Sequence, residues 1–235
     1  MTRSCQQWFL IALFLCCVAT ALVAVAADDE DVVADPDPAR WKQEVERYLA
    51  YDREHPPKAD SLLFVGSSSI RLWPLAESFG ELEPVGRGVG GCHISDVNHW
   101  FDALVTPHKP RTIVFYAGDN DIAGGKSPRR VANDFRTFAR RVHESFPETR
   151  IIYLAIKPSR ARWNLWPKMR EANALIAAFA EEDPRIDFAD VATPMLNEAG
   201  EPDRKYFVDD LLHLNAEGYR LWTSILKPML TDEKK

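Results

Sequence analysis

Two hydrophobic rhythms take turns along this chain. Short continuous apolar runs alternate with longer segments whose apolar residues recur every third or fourth position. From about Ala39 to Arg53, Trp41, Val45, Tyr48 and Leu49 fall at helical spacing, and Pro56-Pro57 stops that helix. Ser61 to Val65 predicts a first core strand. Arg71 to Phe79 reads as a turn followed by a short helix. Pro84-Val85 leads as a second short strand into the glycine turn Gly88-Val89-Gly90-Gly91. Ile94 to Leu104 predicts a helix ending near Pro107, and Thr112 to Ala117 a buried strand. Pro128 opens a helix carrying Val131, Phe135, Phe138 and Val142, with proline at a favourable first-turn position. Arg150 to Ile156 predicts a strand, Lys168 to Ala180 a helix, and Ile186 to Val191 a strand. Asn215 caps a last helix through Tyr219, Leu221, Trp222, Ile225 and Leu226.

Strands alternating with helices imply an α/β fold with a parallel sheet covered on both faces. Ligands of such sheets bind beyond the carboxyl ends of the strands. The chemistry-bearing segments fall there. Ser67-Ser68-Ser69 follows the first strand, Gly91 the second, and Gly118-Asp119-Asn120-Asp121 the third. Asp210-Leu211-Leu212-His213 lies in the loop before the last helix.

The first 27 residues break the pattern. Arg3 is their only charge, and an apolar run from Trp8 to Ala27 ends in Ala24-Val25-Ala26. This predicts a cleaved secretory signal peptide and hence export. Left uncleaved, the run is long enough to anchor the chain in a membrane. Cleavage removes Cys5, Cys16 and Cys17 and leaves Cys92 alone, so no internal disulfide forms and stability comes from packing. Residues 28–60 read as an acidic tether, starting Asp28-Asp29-Glu30-Asp31, and an N-terminal helix. Residues 61–231 read as one catalytic-size domain. The formal net charge is −6, which gives no reason to expect a nucleic-acid partner.

A serine hydroxyl is a weak nucleophile until a base takes its proton. His213 is a candidate base, and Asp210, three residues away, a candidate to orient it. Acyl transfer also needs donors for the developing oxyanion. The Ser68 amide, the Gly91 amide and the Asn120 side chain are candidates. Each has a plainer reading. The serines cap a turn, the glycines permit a tight bend, and Asn120 makes a turn contact.

Together the four segments resemble the SGNH hydrolases, also called GDSL-like esterases and lipases. The matching residues are Gly66-Ser67-Ser68, Gly91, Gly118-Asp119-Asn120-Asp121 and Asp210-Leu211-Leu212-His213, in the family's order, within a stretch from about Leu62 to Leu230. The chain is similar to the subgroup with Gly-Ser-Ser-Ser-Ile-Arg in place of Gly-Asp-Ser. The resemblance implies a three-layer α/β/α, flavodoxin-like fold. It implies Ser68 as nucleophile, His213 and Asp210 as its triad partners, and an oxyanion hole of Ser68, Gly91 and Asn120. It implies an esterase that needs no metal or organic cofactor. Ser67 stands where the family usually has Asp, a residue of neither triad nor oxyanion hole.

The substrate side is drawn more coarsely. His93 and Asp96 follow the glycine turn, either lining the pocket or standing as surface groups. Trp163 and Trp166 sit with Arg160, Arg162 and Asn164 in a loop after the fourth strand, a mix that suits a sugar or core packing. Cys92 reads as buried and inert. The absence of an extended apolar lid disfavours long-chain lipids, and export with the Trp163/Trp166 loop favours a small-molecule or glycan ester, acetyl above all. Two other classes stay open. One is a metal-dependent phosphoesterase using Asp119, Asp121, Asp209, Asp210 and His213. The other is a non-catalytic carbohydrate-binding module on the same scaffold.

Overall fold

The computed structural model describes residues 33–231. The signal-peptide region, residues 1–27, and the acidic start of the tether lie outside the described residues. Five strands form one parallel sheet: β1 (Leu62–Gly66), β2 (Val85–Gly88), β3 (Thr112–Tyr116), β4 (Arg150–Leu154) and β5 (Ile186–Ala189). Their order is β2-β1-β3-β4-β5, and every neighbouring pair is parallel. The order reverses direction at β1, so the crevice beyond the carboxyl ends of β1 and its neighbours is the expected ligand position.

Nine α-helices accompany the strands among the described residues: α1 (Lys42–Glu54), α2 (Ser68–Arg71), α3 (Leu75–Phe79), α4 (Ile94–His99), α5 (Phe101–Leu104), α6 (Asp119–Ala123), α7 (Pro128–Ser145), α8 (Trp166–Glu182) and α9 (Ala216–Thr231). Side chains alternate across a strand, so adjacent residues serve opposite faces. Phe115 of β3 packs its ring against Phe135 and Phe138 of α7. The next residue, Tyr116, packs against Trp222 of α9. The sheet is therefore covered on both sides, which makes the three-layer α/β/α arrangement. α7 holds its first turn with Ser127, whose side chain accepts from the Arg130 amide, and Pro128 follows at the first position.

The N-terminal helix belongs to the same core. Val45 is fully buried, the Tyr48 hydroxyl donates to the Gly88 carbonyl, and Asp52 pairs with Arg87 of β2. Three elements differ from the sequence pattern. The helix expected over Ile94–Leu104 is broken at Trp100, whose φ and ψ of −90° and 16° leave the helix while its indole donates to the Pro38 carbonyl. A helical turn begins directly at Ser68 rather than at Arg71. Asp119–Ala123, read only as a turn, is the short helix α6. No helix among the described residues is long and apolar enough to cross a membrane.

Candidate active site

The end of β1 is shaped by its glycine. Gly66 has φ 143°, a left-handed conformation that side chains disfavour, and a Cβ there would collide with the Tyr116 carbonyl oxygen on β3. The close approach lets the Ser67 amide donate to that same carbonyl at 2.8 Å. The chain then turns into α2, with Ser68 at its first position. Three serines in a row are separated by what they reach. Ser67 is fully buried, and its hydroxyl has no hydrogen-bond partner among the described residues. Ser68 Oγ lies 3.1 Å from His213 Nε2.

The histidine comes from a tight turn before α9. Leu211 takes a positive φ of 58°, which folds Asp210 back over the residues that follow it. Asp210 Oδ1 accepts from the amides of Leu212 (2.8 Å) and His213 (2.9 Å), and Oδ2 sits 2.6 Å from His213 Nδ1. Partial burial raises the Asp210 carboxyl, but these bonds outweigh it and hold it down at about 2. A carboxylate on Nδ1 leaves Nε2 free to accept a proton from Ser68.

The three expected donors have the following surroundings. Among the described residues, no acceptor faces the backbone N–H of Ser68 or of Gly91. Gly91 has φ 81°. The Asn120 side chain, in the first turn of α6, donates to the Cys92 carbonyl at 3.2 Å, so its amide nitrogen lies beside the Gly91–Cys92 turn. Cys92 itself is fully buried, and burial pushes its thiol well up, as an inert cysteine requires.

The residues expected on the substrate side have partners of their own. His93 and Asp96 are neither exposed nor free. His93 is buried, and Asp96 Oδ2 accepts from the His93 amide, Arg40 and the Trp41 indole, tying the N-terminal segment to the start of α4. Trp166 is buried and stacks on the half-buried Trp163, with ring centroids 6.1 Å apart. Arg160 is exposed and donates to the Pro202 carbonyl, and Asn164 is exposed.

The acidic residues do not converge on a metal. Asp119 faces Lys157 and Arg162. Asp121 accepts from the Ile94 amide and from the buried Lys126, 3.1 Å away, which also binds Asp35 and Asp134. Burial lifts Asp121 to about 7 even so. Asp209 is exposed. Among the described residues no three acidic, histidine or cysteine side chains gather as a metal site. Periodicity gave no sign of Arg162 or of Lys126. Lys126 had only the signal of a cation close in sequence to the Gly118-Asp119-Asn120-Asp121 turn, and Arg162 stood out only as a polar member of the loop after the fourth strand. A cleft of about 780 Å³ lies at the amino ends of the strands, lined by Tyr48, Asp52, Arg87 and His108 among others, away from Ser68.

The model of the GDSL-like Lipase/Acylhydrolase family matches residues 71–221. The match holds Gly91, Asn120, Asp210 and His213 and starts just after Ser68. No curated protein matches the sequence. Among solved structures, a provisionally described platelet activating factor from Streptococcus pneumonia is 23% identical, with a TM-score of 0.73 over 82% of this chain and 94% of its own. A GDSL-like lipase from Bacteroides thetaiotaomicron is 21% identical, with a TM-score of 0.70 over 79% and 96%. An acetylxylan esterase from Geobacillus stearothermophilus is 15% identical, with a TM-score of 0.60 over 75% and 96%. At these identities the likeness is one of fold.

Proposed function

The chain belongs to the GDSL-like lipase/acylhydrolase family and is thus a hydrolase acting on small-molecule or glycan esters; from that premise we propose an exported serine esterase that removes short acyl groups, acetyl first among them. The observation that carries the proposal is the continuous chain Ser68 Oγ, His213 Nε2, His213 Nδ1, Asp210 Oδ2, with gaps of 3.1 and 2.6 Å.

Ser68 Oγ attacks the acyl carbonyl while His213 Nε2 takes its proton. Asp210 holds the imidazole in the right tautomer and offsets the positive charge that forms. The negative charge moves to the former carbonyl oxygen, which receives hydrogen bonds from the Ser68 amide, the Gly91 amide and Asn120 Nδ2. Collapse breaks the ester C–O bond, and His213 returns the proton to the leaving alcohol. Water then gives a proton to His213 and attacks the acyl carbon; the acyl C–Oγ bond breaks, His213 returns the proton to Ser68 Oγ, and the acid leaves. Beyond the ester and water, each step uses only the chain's own groups.

Acetyl esters on a glycan suit the reading for two reasons. One structural neighbour is an acetylxylan esterase. The apolar run from Trp8 to Ala27 reads as an export signal, which brings the enzyme to polymeric substrates.

The test is hydrolysis of p-nitrophenyl esters from acetate to long acyl chains. The parent turns over acetate fastest. Ser68→Ala lowers kcat by about 10³-fold or more, and a chelator changes nothing. An organophosphonate labels the parent at Ser68. Folded Ser68→Ala with parental activity would falsify the serine mechanism, and loss on chelation would favour a metal.

A further inference from the structure

Arg162 links two parts of the site that no local pattern joins. Its Nη2 donates to Asn120 Oδ1 at 3.0 Å, and its Nη1 to Asp119 Oδ2 at 3.1 Å. A guanidinium has donors only, whereas a side-chain amide has an oxygen end and a nitrogen end. An arginine facing Asn120 therefore fixes which way the amide points. The oxygen turns to Arg162 and the nitrogen turns to the Gly91–Cys92 turn, where one of its two N–H groups meets the Cys92 carbonyl at 3.2 Å. The other N–H is left for a ligand.

The fork itself is well held. Asp119 is buried, and burial would raise its carboxyl, but Lys157 and Arg162 together keep it below the usual value. Lys157, also buried, approaches Asp119 at 3.4 Å and the Tyr116 hydroxyl at 3.1 Å. The Arg162 side chain keeps only 20% of its surface exposed. Its loop reaches the other half of the site as well. The neighbouring Ala161 amide donates to the Leu211 carbonyl at 3.2 Å, inside the turn between Asp210 and His213.

We propose that Arg162 is a positioning residue for catalysis: by holding Asn120 Oδ1 it presents Asn120 Nδ2 to the oxyanion, so that the loop after β4 sets the oxyanion hole. The assignment rests on the serine-esterase reading and adds a residue to it. Without Arg162 the amide rotates or flips, and part of the population offers an oxygen to the developing negative charge. The ground-state substrate carries no such charge, so the loss falls on kcat.

The experiment is a double-mutant cycle on p-nitrophenyl acetate hydrolysis, using Arg162→Ala, Asn120→Ala and the pair, with Ser68→Ala alongside and folding checked by thermal melting. Removing one oxyanion donor typically costs about 10²–10³ in kcat, which sets the expected loss for Asn120→Ala. Arg162→Ala is expected to lower kcat roughly 10–100-fold with KM within about twofold, as a fraction of that donor loss. In the Asn120→Ala background its effect shrinks to about twofold or less, because the residue it acts through is gone. Arg162→Lys keeps a cation for Asp119 but loses the fork, so it folds and recovers only part of kcat. It carries the test if Arg162→Ala fails to fold. Added guanidinium restores kcat to Arg162→Ala and does nothing for the double variant. Multiplicative losses in the cycle, a rise in KM at constant kcat, or parental kcat in both Arg162 variants overturns the assignment. If Ser68→Ala stays active, the serine reading fails instead.

Discussion

At the residue scale, the proposed proton transfer depends on how His213 is held. Asp210 spends one oxygen on two backbone amides and the other on the imidazole. The first pair of bonds fixes the carboxylate, so the second fixes the ring. Asp210→Asn keeps the size but puts a donor where an acceptor is needed for the Nδ1 proton. We expect kcat to fall about 10²–10⁴-fold with KM nearly constant, read from steady-state kinetics on p-nitrophenyl acetate. A rise in KM alone would place Asp210 in substrate binding. The pairing of Asp210 with His213 was legible from their spacing of three, because one turn can close it. The choice of Ser68 among Ser67, Ser68 and Ser69 came only from the family resemblance, not from local pattern. Adjacent serines look alike in sequence, and only the direction of the first turn of α2 separates them. Of the two readings of His93 and Asp96, the surface one does not hold, because both are buried. Asp96 looks solvent-facing in sequence until its partners, Arg40 and Trp41, arrive from a segment more than fifty residues away.

At the scale of elements, the helices that carry the site's surroundings are held by their apolar faces. α7 buries Val131, Phe135, Phe138 and Val142, at the spacing that marked it as a helix. Phe138 stacks among Phe101, Phe115 and Phe135 and is fully buried. Phe138→Ala is expected to cost about 3–5 kcal/mol in stability, measured by denaturant unfolding, while the folded fraction keeps its kcat. A cost below 1 kcal/mol would mean that the cluster closes around the gap. The long helices were legible because their period is local. The break at Trp100 and the helix α6 were not. The first depends on an indole bond to Pro38, and the second is a short turn held through Asp121 by the Ile94 amide and Lys126. Short elements carry too few repeats to show a period, so their surroundings decide them.

For the whole molecule, buried histidines tie stability to pH. His108 is 1% exposed, and burial, then Arg87, lower it from 6.5 to about 4. The folded state therefore holds fewer protons than the unfolded state between those values. His108 contributes stability above about pH 6.5 that is lost as pH falls through about 4. Asp121, raised to about 7, runs the opposite way in the same window. Comparison of the parent with His108→Asn cancels that term. The variant's melting temperature should fall less steeply than the parent's between pH 7 and 4, and equal slopes would sink the assignment. A second loss belongs to Asp183, which its bonds to Arg185 hold at about 2 instead of 3.8. That contribution is present above about pH 4 and disappears as pH falls towards 2, so Asp183→Asn should converge with the parent there.

The sequence by itself determined the parallel α/β/α plan and the placement of four chemical segments at strand ends. Both depend on local rhythm: continuous apolar runs for buried strands, a period near 3.6 for helices, and glycine where the backbone must turn back. Local pattern did not show which hydroxyl meets His213, across a sequence separation of 145 residues, and tertiary structure alone decided which cation meets Asn120, across 42. It also decided that Trp166, His93 and Asp96 are buried. Those outcomes come from segments distant in sequence competing for the same space and the same hydrogen bonds, and no local period encodes that competition.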